Sequence, residues 1–375
     1  MIRILVLSAG LWLGWILVPA RAEDKRETRK PSENLNKEIA VARKKGIDWL
    51  TKNQGPDGSW GKTYTLAITS FACLSYLGNS DEAYTGDNGK ALIKGLAFLL
   101  SQQKEGSFIK QGHTWIHGQG FATLALSEAY GRSLFCKTKP DLDMKKVKTT
   151  VAEAVKIIAK NQSKSGGWWY EPGVPDLHEG STTVCAVQAI VSAGNFGIEA
   201  DQKVLEKGFA YLKECQNQNG SFQYRLGDGS SMKEGTAAAV ATLGLMQQFD
   251  TQVMVKAYKF LLEVKPAGIS AERFPYYGHF YGCMGMRLLG QEFKEDKVYR
   301  EATLGYIADV YKDLLTWQAK DGSWPAKGWM ATEGALESTA YGTAFASLIF
   351  SIPDGKLSVY NRTPPKLPED NPKNK

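Results

Sequence analysis

Apolar positions along this chain follow two alternating patterns. The first is amphipathic: Ile39, Ala42, Gly46, Trp49 and Leu50 recur at helical spacing with Lys and Arg between them. The second is apolar nearly all round and rich in small residues. It recurs as TYTLAITSFACLSYLG, GFATLALSEAYG, STTVCAVQAIVSAG, GTAAAVATLGLM, YGHFYGCMGMRLLG and ESTAYGTAFASLIF. A helix without a polar face must be covered on every side. The alternation therefore predicts an inner layer of buried helices inside an outer layer of amphipathic ones.

Aligning the amphipathic segments reveals a repeat. KGIDWLTKNQ ends at Gln54, KGLAFLLSQQ at Gln103, EAVKIIAKNQ at Gln162 and KGFAYLKECQ at Gln216. KAYKFLLEVK ends at Lys265 and DVYKDLLTWQ at Gln318, giving anchor spacings of 49, 59, 54, 49 and 53 residues. Six units of similar size define a repeat architecture. Each anchor precedes a turn reading GSW, GSF, GGW, GSF, GIS or GSW. Glycine suits a left-handed helix terminus, and the glutamine one turn earlier can bond backbone groups left unpaired there. An open solenoid needs polar capping repeats, yet the last inner segment, Ser338 to Phe350, is as apolar as any. Unit one and unit six also carry the best-matched turns. Both features predict ends that meet, so the fold class is all-α: an α/α toroid of six helical hairpins closed into a barrel.

The segments outside the repeat suggest processing. Arg3, an apolar run from Ile4 to Val18, and Ala20-Arg21-Ala22 form the pattern of a secretory signal peptide. The run is short of the roughly twenty residues that a membrane span needs. The expected organisation is a signal peptide at 1–22, a charged linker at 23–36, the toroid at 37–355 and a flexible tail at 356–375. The expected localisation is secreted or periplasmic, with no membrane span in the mature form. The formal net charge is +7. With acids interspersed and no Lys/Arg stripe, nucleic acid is not an expected partner. The five cysteines are an odd number, and four sit in apolar or helical runs, so a disulfide framework is not expected.

The turns Gln54 to Trp60, Gln162 to Trp168 and Gln318 to Trp324 resemble the QW motifs of squalene-hopene cyclases. The six-hairpin ring resembles the toroid those cyclases share with protein prenyltransferase β subunits. The resemblance spans roughly Asn36 to Pro353 and implies the fold. The family's activities rest on other motifs. The cyclase Asp-x-Asp-Asp acid is approached only by Asp141-Leu142-Asp143-Met144, which lacks the last acid and begins an outer helix, where acids cap amides. The prenyltransferase Asp-x-Cys zinc pattern is absent, since Cys283 follows Tyr281-Gly282.

The candidate chemistry lies where inner helices begin. His113, His117, His178 and His279 all fall between a turn and the next inner helix, and Glu179, Glu234 and Glu337 align at one repeat position. Such residues would ring one barrel mouth, together with Trp115, Trp169, Tyr276, Tyr277 and Trp329. The catalytic candidates are His178, Glu179 and His279. The ligand-binding candidates are His117, Trp115, Glu234, Tyr277, Trp329 and Glu337. A helix-capping role is the simpler reading of the glutamates. His279 and Cys283, spaced i, i+4, are a pair that zinc accepts, although the aromatic run around them also reads as barrel filling. No metal is assigned. Neither G-x-S-x-G, a Gly-rich phosphate loop nor HExxH occurs, and no cofactor is expected. The sequence thus points to a toroid binding a small apolar or extended ligand in its central cavity, without squalene cyclisation. An enzyme acting on isoprenoid or polysaccharide through mouth His and Glu, and a protein-interaction scaffold, are the alternatives. The oligomeric state is left open.

Overall fold

A computed structural model describes residues 33–368, apart from 111, 113 and 247–249, and only the backbone of Ala335 and Leu336. The signal-peptide segment, most of the charged linker and His113 lie outside the described residues. Among the described residues the chain forms twelve α-helices. The outer layer comprises α1 (Glu33–Lys52), α3 (Gly86–Ser101), α5 (Met144–Lys160), α7 (Gln202–Glu214), α9 (Thr251–Ser270) and α11 (Lys297–Trp317). The inner layer comprises α2 (Thr65–Asn79), α4 (Trp115–Phe135), α6 (Gly180–Asn195), α8 (Lys233–Leu243), α10 (Pro275–Glu292) and α12 (Ala335–Ser351). The named strands of the described residues are two short ones, Gln103–Lys104 and Ser107–Phe108.

Each inner helix packs on the next, α2 on α4 through α10 on α12, and α12 packs back on α2. The ring is closed, as the unpolarised end repeats imply. The two layers follow the two sequence patterns. α2 buries twelve consecutive or near-consecutive residues from Leu66 to Gly78, whereas α5 buries only the stripe Val147, Thr150, Val151, Ala154, Val155 and Ile158.

The repeated turn is a clamp between successive hairpins. The indole N–H groups of Trp60, Trp168 and Trp324 donate to the carbonyls of Leu50, Ile158 and Leu314 at 2.9, 2.8 and 2.7 Å. The glutamine amide donates twice. Gln54 Nε2 reaches Gly58 O at 2.9 Å and Ala91 O at 2.8 Å, the second on the next outer helix. Gln162 and Gln216 repeat this with Val204 O and Val253 O. Gln318 applies the same bond to Ala42 O at 2.9 Å, on α1, and so stitches the last unit to the first. The turn glycine has a positive φ, +91° at Gly58 and +92° at Gly322. It lies against a carbonyl of the next outer helix: a Cβ on Gly58 would sit 2.5 Å from Lys94 O, and one on Gly322 3.0 Å from Lys45 O. Only glycine meets both demands.

Unit five departs from this scheme. Lys265 replaces the glutamine with φ +59° and ψ 164°, and Pro266 follows, so α9 is two helical pieces across a kink. The C-terminal segment also differs from expectation. Leu357, Val359 and Tyr360, in the part read as a flexible tail, are buried beneath the barrel. Their apolar side chains find cover where the inner helices end. At the other end of the domain, the last residues assigned to the linker, from Glu33, already belong to α1. All five cysteines are free and buried.

Candidate functional site

The inner helices all present their N-terminal turns to one end of the barrel. Those turns surround a cavity of about 370 Å³. Tyr64 and Ile68 come from the α2 end, Thr114 and His117 from α4, Glu179 and Ser181 from α6, Glu234 from α8, and Phe274 and Tyr277 from α10. Trp329 and Met330 close the wall from the turn before α12. Deeper down, the wall is apolar. Phe71 packs on Phe121 and Phe345 with ring centroids 4.5 and 4.1 Å apart. Below that floor, Tyr281 Oη donates to Gln188 Oε1 at 3.2 Å across the axis.

The polar groups concentrate on one side of the mouth. Glu179 is the N-cap of α6, accepting from Thr182 N at 2.7 Å. Ser181 Oγ lies 2.7 and 3.0 Å from its two carboxyl oxygens and 3.3 Å from His117 Nε2. Thr114 Oγ lies 3.0 Å from His117 Nδ1. The directions that satisfy every group run from Thr114 O–H to Nδ1, from Nε2–H to Ser181 Oγ, and from Ser181 O–H to Glu179. Desolvation supports this chain: it lowers the His117 pKa to about 4, which keeps the ring neutral, and it raises that of Glu179. Above the chain, the hydroxyls of Tyr170 and Tyr224 meet at 2.8 Å. Sequence reasoning missed Tyr170, Ser181 and Tyr224. The tyrosines sit two residues beyond turn aromatics Trp168 and Phe222, and that shared offset was the available signal.

The three repeat-equivalent glutamates have three different roles. Glu179 caps its own helix. Glu337 reaches back across the ring closure and accepts from the backbone amides of Lys62, Thr63 and Tyr64, so it joins unit six to unit one. Glu234 lies in the first turn of α8, buried, with Oε2 lacking a hydrogen-bond partner. Burial raises its pKa, and nearby Glu272 adds to the rise.

His117, Glu179, Glu234, Tyr277 and Trp329 thus share the cavity wall, and four other candidates lie elsewhere. Trp115 is buried in the α4 start, its indole N–H donating to Ser107 Oγ at 3.1 Å. His178 sits behind the wall, with Nδ1 3.0 Å from Tyr211 Oη. His279 corrects the expectation of a mouth histidine. It is fully buried against Trp317, with Nε2 3.0 Å from Ser270 Oγ, which in turn donates to Asp313. The helical period explains this: with Tyr277 and Tyr281 turned toward the axis, position 279 of α10 faces α11. Cys283 is buried, burial pushes its thiol pKa up, and no group of three His, Cys, Asp or Glu among the described residues is placed to hold a metal. Asp143 caps α5 through Lys145 N and Lys146 N, both at 3.0 Å.

Solved structures share this architecture. The type II terpene cyclase MstE from Scytonema aligns at 15% identity, covering 86% of this chain and 100% of that one, with a TM-score of 0.53. A form of that cyclase in complex with geranylgeranyl dihydroxybenzoate aligns at 16% identity over 85% and 99% of the two chains, with a TM-score of 0.51. The GH76A alpha-1,6-mannanase from Salegentibacter sp. HEL1_6 aligns at 10% identity over 83% and 98%, with a TM-score of 0.63. At these identities the likeness is one of fold. No curated protein sequence matches the chain. Among the described residues no helix is long and apolar enough to cross a membrane. The model of the prenyltransferase alpha-alpha toroid domain matches residues 31–194 and 140–268, and the chain belongs to that family.

Proposed function

We propose that this toroid binds an apolar, extended ligand in its central cavity, entering at the end where the inner helices begin. The observation that carries the reading is the wall itself. Phe71, Phe121, Tyr341 and Phe345 form the depth, Trp329 and Met330 the rim, and the polar groups gather at the mouth. A concave apolar site with a few convergent polar groups is the usual form of a small-molecule site. A polysaccharide would bring many hydroxyls into a depth that offers them few partners, so the apolar reading is favoured. The ligand of the cyclase complex, geranylgeranyl dihydroxybenzoate, occupies a fold-mate and agrees with a chain-like occupant.

Squalene cyclisation is not part of this proposal. Protonating an isolated alkene demands a strong, positioned acid. Glu179 instead accepts bonds from Ser181 and Thr182. Incubation with squalene is expected to return it unchanged, and a cyclic triterpene product would refute this part. The proposal includes export through the segment ending at Ala22, which N-terminal sequencing of the mature protein tests. Ligand binding is tested by native mass spectrometry of the purified full chain, with organic extraction of the same sample. The expected result is one non-covalent apolar adduct per chain, or uptake of one added C15–C20 isoprenoid chain. Absence of both would end the proposal.

A further inference from the structure

The link between a turn and its inner helix takes two forms around the mouth. In units three and four it leaves and returns at one point. Glu179 N donates to Trp168 O at 2.8 Å and Met232 N to Phe222 O at 3.0 Å, so residues 169–178 and 223–231 are loops closed at their base. Among the described residues, no such bridge follows Trp324 in unit six. Its link, residues 325–334, instead reaches over to the neighbouring units. Trp329 N donates to Arg273 O at 2.9 Å. The indole lies between Tyr64 of unit one and Phe274 of unit five, with ring centroids 6.3 and 5.8 Å away.

Exposure along this link is that of a cover. Pro325, Lys327, Gly328, Ala331 and Thr332 are exposed, whereas Trp329 and Met330 turn inward and line the cavity. The two ends of the link differ. The first is pinned: Ala326 N donates to Ser338 Oγ at 2.9 Å, and Tyr276 Oη donates to Pro325 O at 3.0 Å. The second is Gly334, at φ +93° and ψ 153°, a backbone region that essentially only glycine enters. A Cβ on Gly334 would meet nothing within 4 Å, so its dihedral, and no close packing, asks for glycine. A residue that can change its backbone angles without losing a contact is what a hinge requires. Gly328, at φ +66°, is the opposite case. A Cβ there would run into Arg273 O, so the link lies flat on unit five only with glycine at this position.

Resting on the apolar-ligand reading above, we propose that residues 325–334 are a flap that opens about Gly334 to admit and release the ligand, with Trp329 as its gate. Lifting the flap breaks the Trp329–Arg273 hydrogen bond and withdraws the indole from between Tyr64 and Phe274, while Ala326 stays in place. Closed, it adds Trp329 and Met330 to the apolar wall and keeps water from the occupant. Entry and exit both wait for opening. A change that favours the open flap therefore speeds both alike and leaves affinity nearly unchanged.

The test reads both rates for the full chain by stopped-flow tryptophan fluorescence with a C15 isoprenoid hydrocarbon. Hydrogen exchange of the Trp329 amide in the free protein reads opening without any ligand. Gly334→Ala strains the closed dihedral and removes no contact. Association rate, dissociation rate and Trp329 exchange should all rise about tenfold, with Kd within about twofold of wild type. Gly328→Ala should shift all three in the same direction, and it takes the place of Gly334→Ala if that variant does not fold. Gly173→Ala is the control: it has φ +75° in the closed loop of unit three and likewise no neighbour within 4 Å, and it should leave all three unchanged. Unchanged Trp329 exchange in Gly334→Ala overturns the flap. So do ligand rates that stay constant while exchange rises, and so does a dissociation rate that rises alone and carries Kd with it. Faster exchange without saturable binding of the hydrocarbon leaves the flap standing and overturns the apolar reading.

Discussion

His279 shows how one residue type takes different roles in a repeat. His117, in the mouth, is wired to Ser181 and Thr114, whereas His279 is sealed behind the wall with Nδ1 unpartnered. Desolvation lowers the His279 pKa to about 3. A histidine held neutral in the folded state takes up fewer protons than its unfolded counterpart below pH 6.5, so its contribution to stability is full above that pH and declines as pH falls toward 3. The buried Glu128, Glu179 and Glu234 act oppositely, because their pKa values are raised and their contribution declines as pH rises above the usual carboxylate range. The clean test is therefore a difference. Replacing His279→Gln should remove the histidine's share alone, with the gap to wild type changing by about 1.4 kcal/mol per pH unit between 6.5 and 4.5. Denaturant titrations across that range give the slope directly, and parallel curves would show that His279 titrates normally.

At the scale of elements, the clamp turn and the next outer helix are matched in size. Trp60 packs against Gly95, Trp168 against Gly208 and Trp324 against Gly46, where an added Cβ would sit 3.0, 3.2 and 2.6 Å from the indole. At the equivalent positions, Phe108 and Phe222 have Ala154 and Ala257, and Ile269 has Val310. The wider the turn residue, the smaller its opposite number, as close packing at one hairpin interface demands. Trp60→Ala and Trp324→Ala should each cost roughly 3–5 kcal/mol, the usual loss for a buried aromatic. Gly95→Ala alone should destabilise by about 1–3 kcal/mol through overpacking. Combined with Trp60→Phe it should cost less than the two single changes added, and a thermodynamic cycle without coupling would contradict the size match. The repeat, its two layers and its closure were legible in the sequence, because glutamine anchors and all-round apolar helices report directly on burial. The Lys-Gly pairs were visible too, but their meaning was not, since a glycine opposite an indole is a contact between units. The site was legible in part. Glu179, Glu234 and Glu337 share one repeat position, yet which of them caps, bridges or stays unpaired depends on neighbours about fifty residues away. The histidines differ for a second reason: position 279 faces outward through helical phase.

For the whole molecule, two features make a ring of six hairpins into a one-ended container. The first is closure, by Gln318 to Ala42, by Glu337 to the start of α2, and by Arg43 to Asp354 at 2.7 Å. The second is the C-terminal segment, which plugs the end opposite the mouth. Buried Glu128 accepts from Ser358 N at 2.8 Å, Ser358 Oγ at 2.5 Å and Ser192 Oγ at 2.9 Å, while Arg287 holds Tyr360 O at 2.9 Å. Ending the chain at Gly355 should destabilise the barrel by at least about 3 kcal/mol, because it exposes three apolar side chains and leaves Glu128 short of donors. Adding Glu128→Gln to the shortened chain should recover part of the loss, and an unchanged melting temperature on shortening would show the plug to be an ornament. The central claim is that this container is filled through its mouth by one apolar chain. Ala67 lines the cavity and is only half-buried, so a larger side chain there extends into the open space. The decisive measurement is calorimetric titration of a C15 isoprenoid hydrocarbon into wild type and Ala67→Trp at two temperatures. Wild type should bind one equivalent with a negative heat-capacity change, the mark of apolar burial. The variant should melt normally and bind at least tenfold more weakly, and either no saturable binding by wild type or equal binding by both would contradict the account.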